Sequence, residues 1–260
     1  MDIVILGSGN VATHLGKALV HAGNNILQVW SRQGVNAEEL AHRLNARSTD
    51  RLDQVDLNAD VYIIAVVDDA ISDLITQLKH IKGNLNGMLV HTSGSTSMDV
   101  FGGRFDKVGV FYPLQTFSKS KEVDFQAIPI LLEVSNSSQL DLLKNLASSI
   151  SNRVEVVTSA QRKSLHIAAV FACNYTNFLY AIAQQLLEEH DLDFGLIRPL
   201  IKETADKAQL HAPKDVQTGP AIRKDMSIVR DHIKFLEYKK DWQEIYKLLS
   251  EELIKISTQK

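Results

Sequence analysis

Asp2-Ile-Val-Ile-Leu6 runs without a break into Gly7-Ser8-Gly9-Asn10-Val11-Ala12. Thr13 to Val20 then reads as a helix, with Val11, Leu15, Ala18 and Leu19 at helical spacing. This is strand, glycine turn, helix, the order in which a dinucleotide-binding unit is built. Gly7 lets the chain leave the strand in a tight turn, and Gly9 has no side chain to hold a pyrophosphate off the backbone. Ala12 replaces the third glycine of the pattern and is still small enough for the helix to pack on the strand. The helix turns its free N–H groups and positive dipole end toward the phosphates. The bland alternative is a tight turn in some other α/β protein. The placement directly between strand and helix favours the dinucleotide.

Outward from there, Asn25 to Trp30 reads as the second strand, ending in Ser31-Arg32-Gln33-Gly34. An NAD-binding unit places an acidic residue here for the ribose hydroxyls, and none stands between Val29 and Asn36. Ser31 can donate a hydrogen bond and Arg32 can fork onto a 2′-phosphate, which favours NADP over NAD. As a solvated loop residue, Arg32 carries no such meaning. Asn36 to Glu39 opens a helix, with Asn36 as its cap, and a short strand follows near Ala46 to Ser48.

Val61 to Val67 is apolar throughout, as expected of a parallel strand covered on both faces. Asp68 and Asp69 follow at the sheet's carboxyl edge, where their side chains are expected to cap a helix from Ala70 to Lys79, while the backbone of Val66 and Val67 meets the cofactor. Gly87 to His91 makes another strand, followed by the polar loop Thr92-Ser93-Gly94-Ser95-Thr96. That loop is either a helix-capping turn or, through Ser93, a contact for nicotinamide or substrate. Val108 to Phe111, Ile128 to Val134 and Arg153 to Val157 continue the sheet, with an amphipathic helix at Asn136 to Ile150.

After Ser159 the pattern is helical, over roughly Ala160–Glu189, Phe194–Ala212, Pro220–Glu237 and Trp242–Ile256. The reading is therefore an α/β fold: a Rossmann-like, doubly wound, mainly parallel sheet over residues 1–157, then an all-α domain over 158–260. A length of 260 residues, 45% hydrophobic and 23% charged, suits a packed core, and a net charge of −3 does not favour nucleic acid or an anionic membrane as partner. No apolar run stands out as long enough to span a bilayer, and a strand starting at residue 2 leaves no room for a signal peptide. The single cysteine, Cys173, has no internal disulfide partner. The expectation is a soluble, cytoplasmic protein.

Two polar features mark the helical half. Lys163, His166, Asn174 and Asn177 recur near helical spacing on the otherwise apolar first helix. Buried polar groups need partners, and a substrate or neighbouring backbone would each serve. Thr218-Gly219-Pro220…Arg223-Lys224-Asp225 reads as a helix start, either an anion site with Arg223 as clamp or ordinary capping with a surface ion pair.

Taken together, Gly7 to Ala12, Ala65-Val-Val-Asp-Asp69, His91-Thr-Ser-Gly94, Tyr112-Pro-Leu-Gln-Thr-Phe117 and Thr218-Gly-Pro220…Arg223-Lys-Asp225 resemble the NADP oxidoreductases with a Rossmann-like N-terminal domain and a helical C-terminal domain. These are distant relatives of pyrroline-5-carboxylate reductase, the deazaflavin-dependent NADP reductase and the 6-phosphogluconate dehydrogenase superfamily. The resemblance covers nearly the whole chain. It implies a dinucleotide on the first half, a small-molecule substrate between the halves and a homodimer built through the C-terminal helices. It also places His166 and Asn174 where relatives carry catalytic polar groups. The matching expectation is hydride transfer between NADP(H) and a small C=O or C=N substrate. His166 is the proton donor or polariser, Asn174 and Asn177 orient the substrate, and Ser93 and Arg223 bind it. Two alternatives are a non-catalytic NADP-responsive module and a methyltransferase, against which the arginine after the second strand argues. No metal site is expected, since the nine histidines are scattered.

Overall fold

A computed structural model describes residues 1–81, 83–118 and 121–258. They divide into two compact units, 1–173 and 174–260. The first is built on one eight-stranded sheet in the order β3-β2-β1-β4-β5-β6-β7-β8. Its strands are β1 (Asp2–Leu6), β2 (Asn25–Trp30), β3 (Arg47–Thr49), β4 (Val61–Ile64), β5 (Met88–His91), β6 (Val108–Pro113), β7 (Ile130–Val134) and β8 (Val154–Val156). All neighbours pair parallel except β6 and β7, which run antiparallel with Tyr112 opposite Leu131. The helices of this unit are α1 (Asn10–His21), α2 (Gly34–Leu44), α3 (Asp68–Lys79), α4 (Leu140–Ser148) and α5 (Ser159–Ala169).

Side chains alternate across a strand, so β1 feeds two cores at once. Ile3 and Ile5 pack with Leu15, Val29 and Ile63 on one face, while Val4 and Leu6 pack with Tyr62, Ile71 and Leu74 on the other. Both faces are covered, which is why β1 and β4 are apolar without alternation. At roughly 1.5–3 kcal/mol for each large side chain buried, these layers dominate the unit's stability. The chain winds from β1 to β2 and β3 on one side, then returns to β4 on the other side of β1. That reversal opens a crevice outside the carboxyl ends of β1 and β4.

Several boundaries differ from the sequence reading. β4 stops at Ile64, because Val66 and Val67 leave the sheet for the turn into α3. α2 starts at Gly34, so Asn36 lies inside its first turn and donates to Gln33 Oε1 at 2.6 Å instead of capping. The α3 cap is Val67, with no side-chain hydrogen bond, and the Asp68 carboxylate is taken by Ser95 Oγ. The first long helix is not α-helical throughout. α5 passes through a π segment, Val170–Tyr175, into α6 (Thr176–Glu188). Because the i→i+5 turn is wider than an α turn, Lys163 and His166 do not form one regular α-helical stripe with Asn174 and Asn177. The uninterrupted helix Ser159–Glu188 is also long and apolar enough, by length and composition alone, to cross a membrane. The sequence reading missed this by weighing the short run Ile167–Cys173 without its continuation.

The second unit continues with α7 (Arg198–Leu210), α8 (Met226–Phe235) and α9 (Lys240–Thr258). Residues 220–224 form turns, so α8 begins six residues later than Pro220. Lys224 at φ 60° sits in the left-handed region that ends any helix attempted there. Among the described residues of this unit, only Ala221, Val229 and Leu236 are buried hydrophobics. Phe178, Leu196, Leu200 and Leu210 are 53–77% exposed. Glu189 anchors the turn before α9, accepting from Tyr238 Oη at 2.9 Å and Lys239 Nζ at 2.7 Å.

Candidate functional site

A cleft of about 860 Å³ runs along the carboxyl ends of β2, β1, β4, β5 and β6. Its centre is the glycine turn. Gly7 has φ +133°, and a Cβ there would stand 2.2 Å from the Ala65 carbonyl oxygen. Only glycine lets β1 and β4 close at this point. Gly9 caps α1 with no side-chain hydrogen bond, and a Cβ on it would meet no atom within 4 Å. The space in front of the helix start is therefore open, and the first-turn N–H groups face it without an intrahelical acceptor. An unobstructed backbone at a helix N-terminus suits a pyrophosphate, so the residues present fit a dinucleotide.

The β2 end of the cleft suits the adenosine half. Ser8 Oγ donates to Ser31 Oγ at 2.9 Å, and Ser31 N donates to Thr49 O at 3.1 Å, which fixes the 31–33 turn. Arg32 is exposed beside Ser31 and lines the cleft with Asn36 and Asp50. Asn10, Val11, Val66 and Val67 also line it, whereas Ala12 is wholly buried and serves packing. The loop after β6 is strapped to α1. Asn10 Nδ2 donates to Phe117 O at 2.9 Å, and the Phe117 ring stacks on His14 at 5.4 Å. This is the structural work of the Tyr112–Phe117 segment.

A dinucleotide laid with its adenosine at β2 and its phosphates at β1 would bring the nicotinamide to the ends of β4, β5 and β6. There the cleft meets Asp68, Thr92, Ser93, Gly94, Tyr112 and His166. Ser93 Oγ accepts from Thr96 N at 2.9 Å and Ser95 N at 3.2 Å, so its hydroxyl shapes the loop as well as lining the site. Tyr112 Oη lies 3.1 Å from His166 Nδ1, with the rings edge-on at 6.1 Å. Burial, with a smaller contribution from Asp68, pushes the Tyr112 phenol up to about 12. Gly94 makes the contact possible, since a Cβ there would stand 2.6 Å from His166 Nδ1 and 2.7 Å from Tyr112 Cζ.

A buried ion pair holds this end together. Arg162, 1% exposed, bonds Glu133 of β7 through Nη1, and Thr96 O at 2.5 Å and Ser159 Oγ at 3.2 Å through Nη2. Glu133 accepts from Ser159 N at 2.9 Å and Ser159 Oγ at 2.8 Å. The start of α5 is thus fixed to the sheet and to the 93–98 loop, one helical turn before His166. His91, fully buried at the end of β5, accepts from Ser93 N at 3.2 Å through Nδ1. Burial, reinforced by the Arg162 charge, lowers it to about 3.

Of the residues singled out in the sequence, Gly7 to Val11, Ser31, Arg32, Val66, Val67, Ser93 and His166 border one cleft. Asn174, Asn177 and Arg223 belong to the second unit and are exposed there. Arg223 is on a turn instead of a helix start, and its Nε donates to Asp225 Oδ2 at 3.0 Å. Arg162 and Glu133 were missed, and Tyr112 and Gly94 were quoted within their segments without a role of their own. Tyr112 ends an apolar strand and Glu133 sits in another, so periodicity reads both as sheet positions. A charged residue inside Ile130–Val134 was the one available signal.

Residues 2–90 match the family model described as NADP oxidoreductase, coenzyme F420-dependent, and residues 128–253 match a domain of unknown function, DUF2520. A Bacteroides fragilis protein assigned as an NADP oxidoreductase is 44% identical, with 98% of each chain covered and a TM-score of 0.91. A Thermotoga maritima protein, TM1727, shares the fold at 24% identity and TM-score 0.73, with 99% and 98% covered. An imine reductase from Myxococcus stipitatus, solved with NADP⁺, shares it at 15% identity and TM-score 0.68, with 100% and 93% covered. No curated protein matches the chain. The chain belongs to the NADP oxidoreductase family, as an oxidoreductase that joins a nicotinamide-dinucleotide Rossmann domain to a DUF2520 domain.

Proposed function

We propose that the protein is an NADP(H)-dependent reductase of a small C=O or C=N substrate. The observation that carries this reading is the single cleft, open over Gly9, that has Arg32 and Ser31 at one end and His166 at the other. Gly9 and the α1 start would hold the pyrophosphate, Ser31 and Arg32 the 2′-phosphate, and Val66 and Val67 the backbone contacts beyond it. The nicotinamide, when bound, supplies or accepts hydride. His166 polarises the acceptor atom or gives it a proton, and Ser93 steadies the substrate beside it. An arginine and two serines at the β2 end, where an NAD site has a carboxylate, favour the phosphorylated cofactor.

The test is a parallel titration of wild type and Arg32→Ala with NADPH and NADH, read by fluorescence or calorimetry. NADPH should bind more tightly to wild type, and Arg32→Ala should lose roughly 1.5–3 kcal/mol, about 10- to 100-fold, of NADPH affinity only. Binding of neither nucleotide by wild type would overturn the reading. Ketones, ketoacids and cyclic imines are then screened for NADPH oxidation.

We further propose a cytoplasmic homodimer paired through the second unit. Three buried hydrophobics among its described residues, beside Leu196, Leu200 and Leu210 at 65–77% exposure, leave apolar helix faces that a second copy would cover. Light scattering should return twice the chain mass, and Leu200→Glu should shift it toward one.

A further inference from the structure

We infer that Tyr112 is a second proton-carrying residue of this site, and that its phenol and the His166 imidazole work as one relay at the nicotinamide end of the cleft. The inference rests on the reductase reading and refines it: the Tyr112 phenol touches the substrate heteroatom, and His166 gives its proton to the substrate through that phenol.

Three independent features carry it. The Tyr112 hydroxyl stands 3.1 Å from His166 Nδ1, and both side chains border the cleft. The 91–96 loop is built around the pair, because a side chain at Gly94 would collide with both rings at 2.6–2.7 Å. The helix carrying His166 is locked to the sheet by Arg162 and Glu133, so the imidazole has a fixed approach to the phenol. A hydrophobic strand end would be filled as well by Phe, and nothing in the packing demands the hydroxyl. Among the described residues the hydroxyl's hydrogen-bond partner is His166 Nδ1.

The groups facing the pair define the proton path. Asp68 from α3 and Arg162 from α5 both act on the Tyr112 phenol, with opposite signs. Burial dominates and keeps the phenol protonated throughout the neutral range. The phenol is therefore a donor, and with neutral His166 it donates to Nδ1, which places the imidazole proton on Nε2. That nitrogen has no hydrogen-bond partner among the described residues and is not buried, so it is open to solvent.

The proton step balances without a further reagent. As hydride arrives at the C=O or C=N carbon, the substrate oxygen or nitrogen takes the phenol proton, and the Tyr112 O–H bond breaks. His166 enters this step as imidazolium, its neutral Nε2–H ring having taken one proton from solvent. Nδ1–H donates to the Tyr112 oxygen and passes its proton to the phenolate, which leaves the ring as the neutral Nε2–H tautomer. In the oxidative direction each transfer reverses.

The test compares wild type, Tyr112→Phe and His166→Gln, the last serving to assign the signals. ¹⁵N NMR of histidine-labelled, cofactor-free protein should show wild-type His166 as one tautomer, with the proton on Nε2. Tyr112→Phe should give a mixture. The same tautomer ratio in both proteins would overturn the relay, whatever the substrate. NADPH titration separates the two readings. Tyr112→Phe should bind within about twofold of wild type, and failure of wild type to bind sinks the reductase instead. With a cyclic imine or ketone that wild type reduces, Tyr112→Phe should lower kcat about 10²- to 10⁴-fold. Loss in KM alone would also overturn the assignment.

Discussion

Glu133→Ala isolates the strongest structural commitment in the first unit. It removes the carboxylate from Arg162 Nη1 and the acceptor from Ser159 N and Ser159 Oγ. Arg162, 1% exposed, is left as a buried cation with Thr96 O and Ser159 Oγ as its remaining partners. Breaking a buried pair in this way costs about 3–5 kcal/mol, most of it the uncompensated charge. At 2–4 °C per kcal/mol for domains of this size, the melting temperature should fall by roughly 10 °C. Glu133→Gln keeps a carbonyl acceptor and should cost about 1–2 kcal/mol. The double variant Glu133→Leu with Arg162→Met removes both charges, and should recover most of the loss because the desolvation cost disappears with them. The assay is urea unfolding followed by circular dichroism, with NADPH affinity measured alongside. A loss under about 1 kcal/mol in Glu133→Ala, or a double variant no more stable than the single, would refute the reasoning.

The two glycines of the first turn should separate cleanly. Gly7→Ala puts a Cβ 2.2 Å from the Ala65 carbonyl at φ +133°, so little folded protein is expected on expression. Gly9→Ala meets open space, so it should melt within a few degrees of wild type yet bind NADPH at least about tenfold more weakly. Gly94→Ala drives a Cβ into Tyr112 and His166, and should cost about 1–3 kcal/mol on thermal unfolding while spreading the pair. His91, lowered to about 3 in the fold against 6.5 in the free side chain, stays neutral while the unfolded chain takes up a proton. Stability is therefore complete above about pH 6.5 and falls as pH drops toward 3, by about 2 kcal/mol at pH 5. The pH-dependent difference between wild type and His91→Gln in urea titrations should follow that slope.

The fold was legible because its signals are local. Buried parallel strands write themselves as apolar runs, and β1, β2, β4 and β5 were found within a few residues of their observed ends. The β1–β2 end of the cleft was legible for the same reason, since Gly7, Gly9, Ser31 and Arg32, which line it, follow directly from two strand ends. The turn at 220–224 was read as a helix because Pro220 suits a helix start, and only the backbone conformation of Lys224 rules it out. The π segment has no sequence signature at all. It changes which residues share a face without changing a single hydrophobic position.

The β4–β6 end of the cleft was half legible, and the reason is physical. His166 drew attention as a polar residue on an apolar helix, whereas Tyr112 on β6 has the same apolar body as a core residue. What distinguishes it is one hydroxyl reaching a group far along the chain, and that pairing is set by β6, the loop through Gly94 and the anchored start of α5 together. Each of those elements packs satisfactorily without the hydroxyl. The polar contact is surplus to the fold's own needs, and an arrangement kept in place by a buried ion pair and a required glycine, yet not needed for packing, is what a reacting site demands of its scaffold.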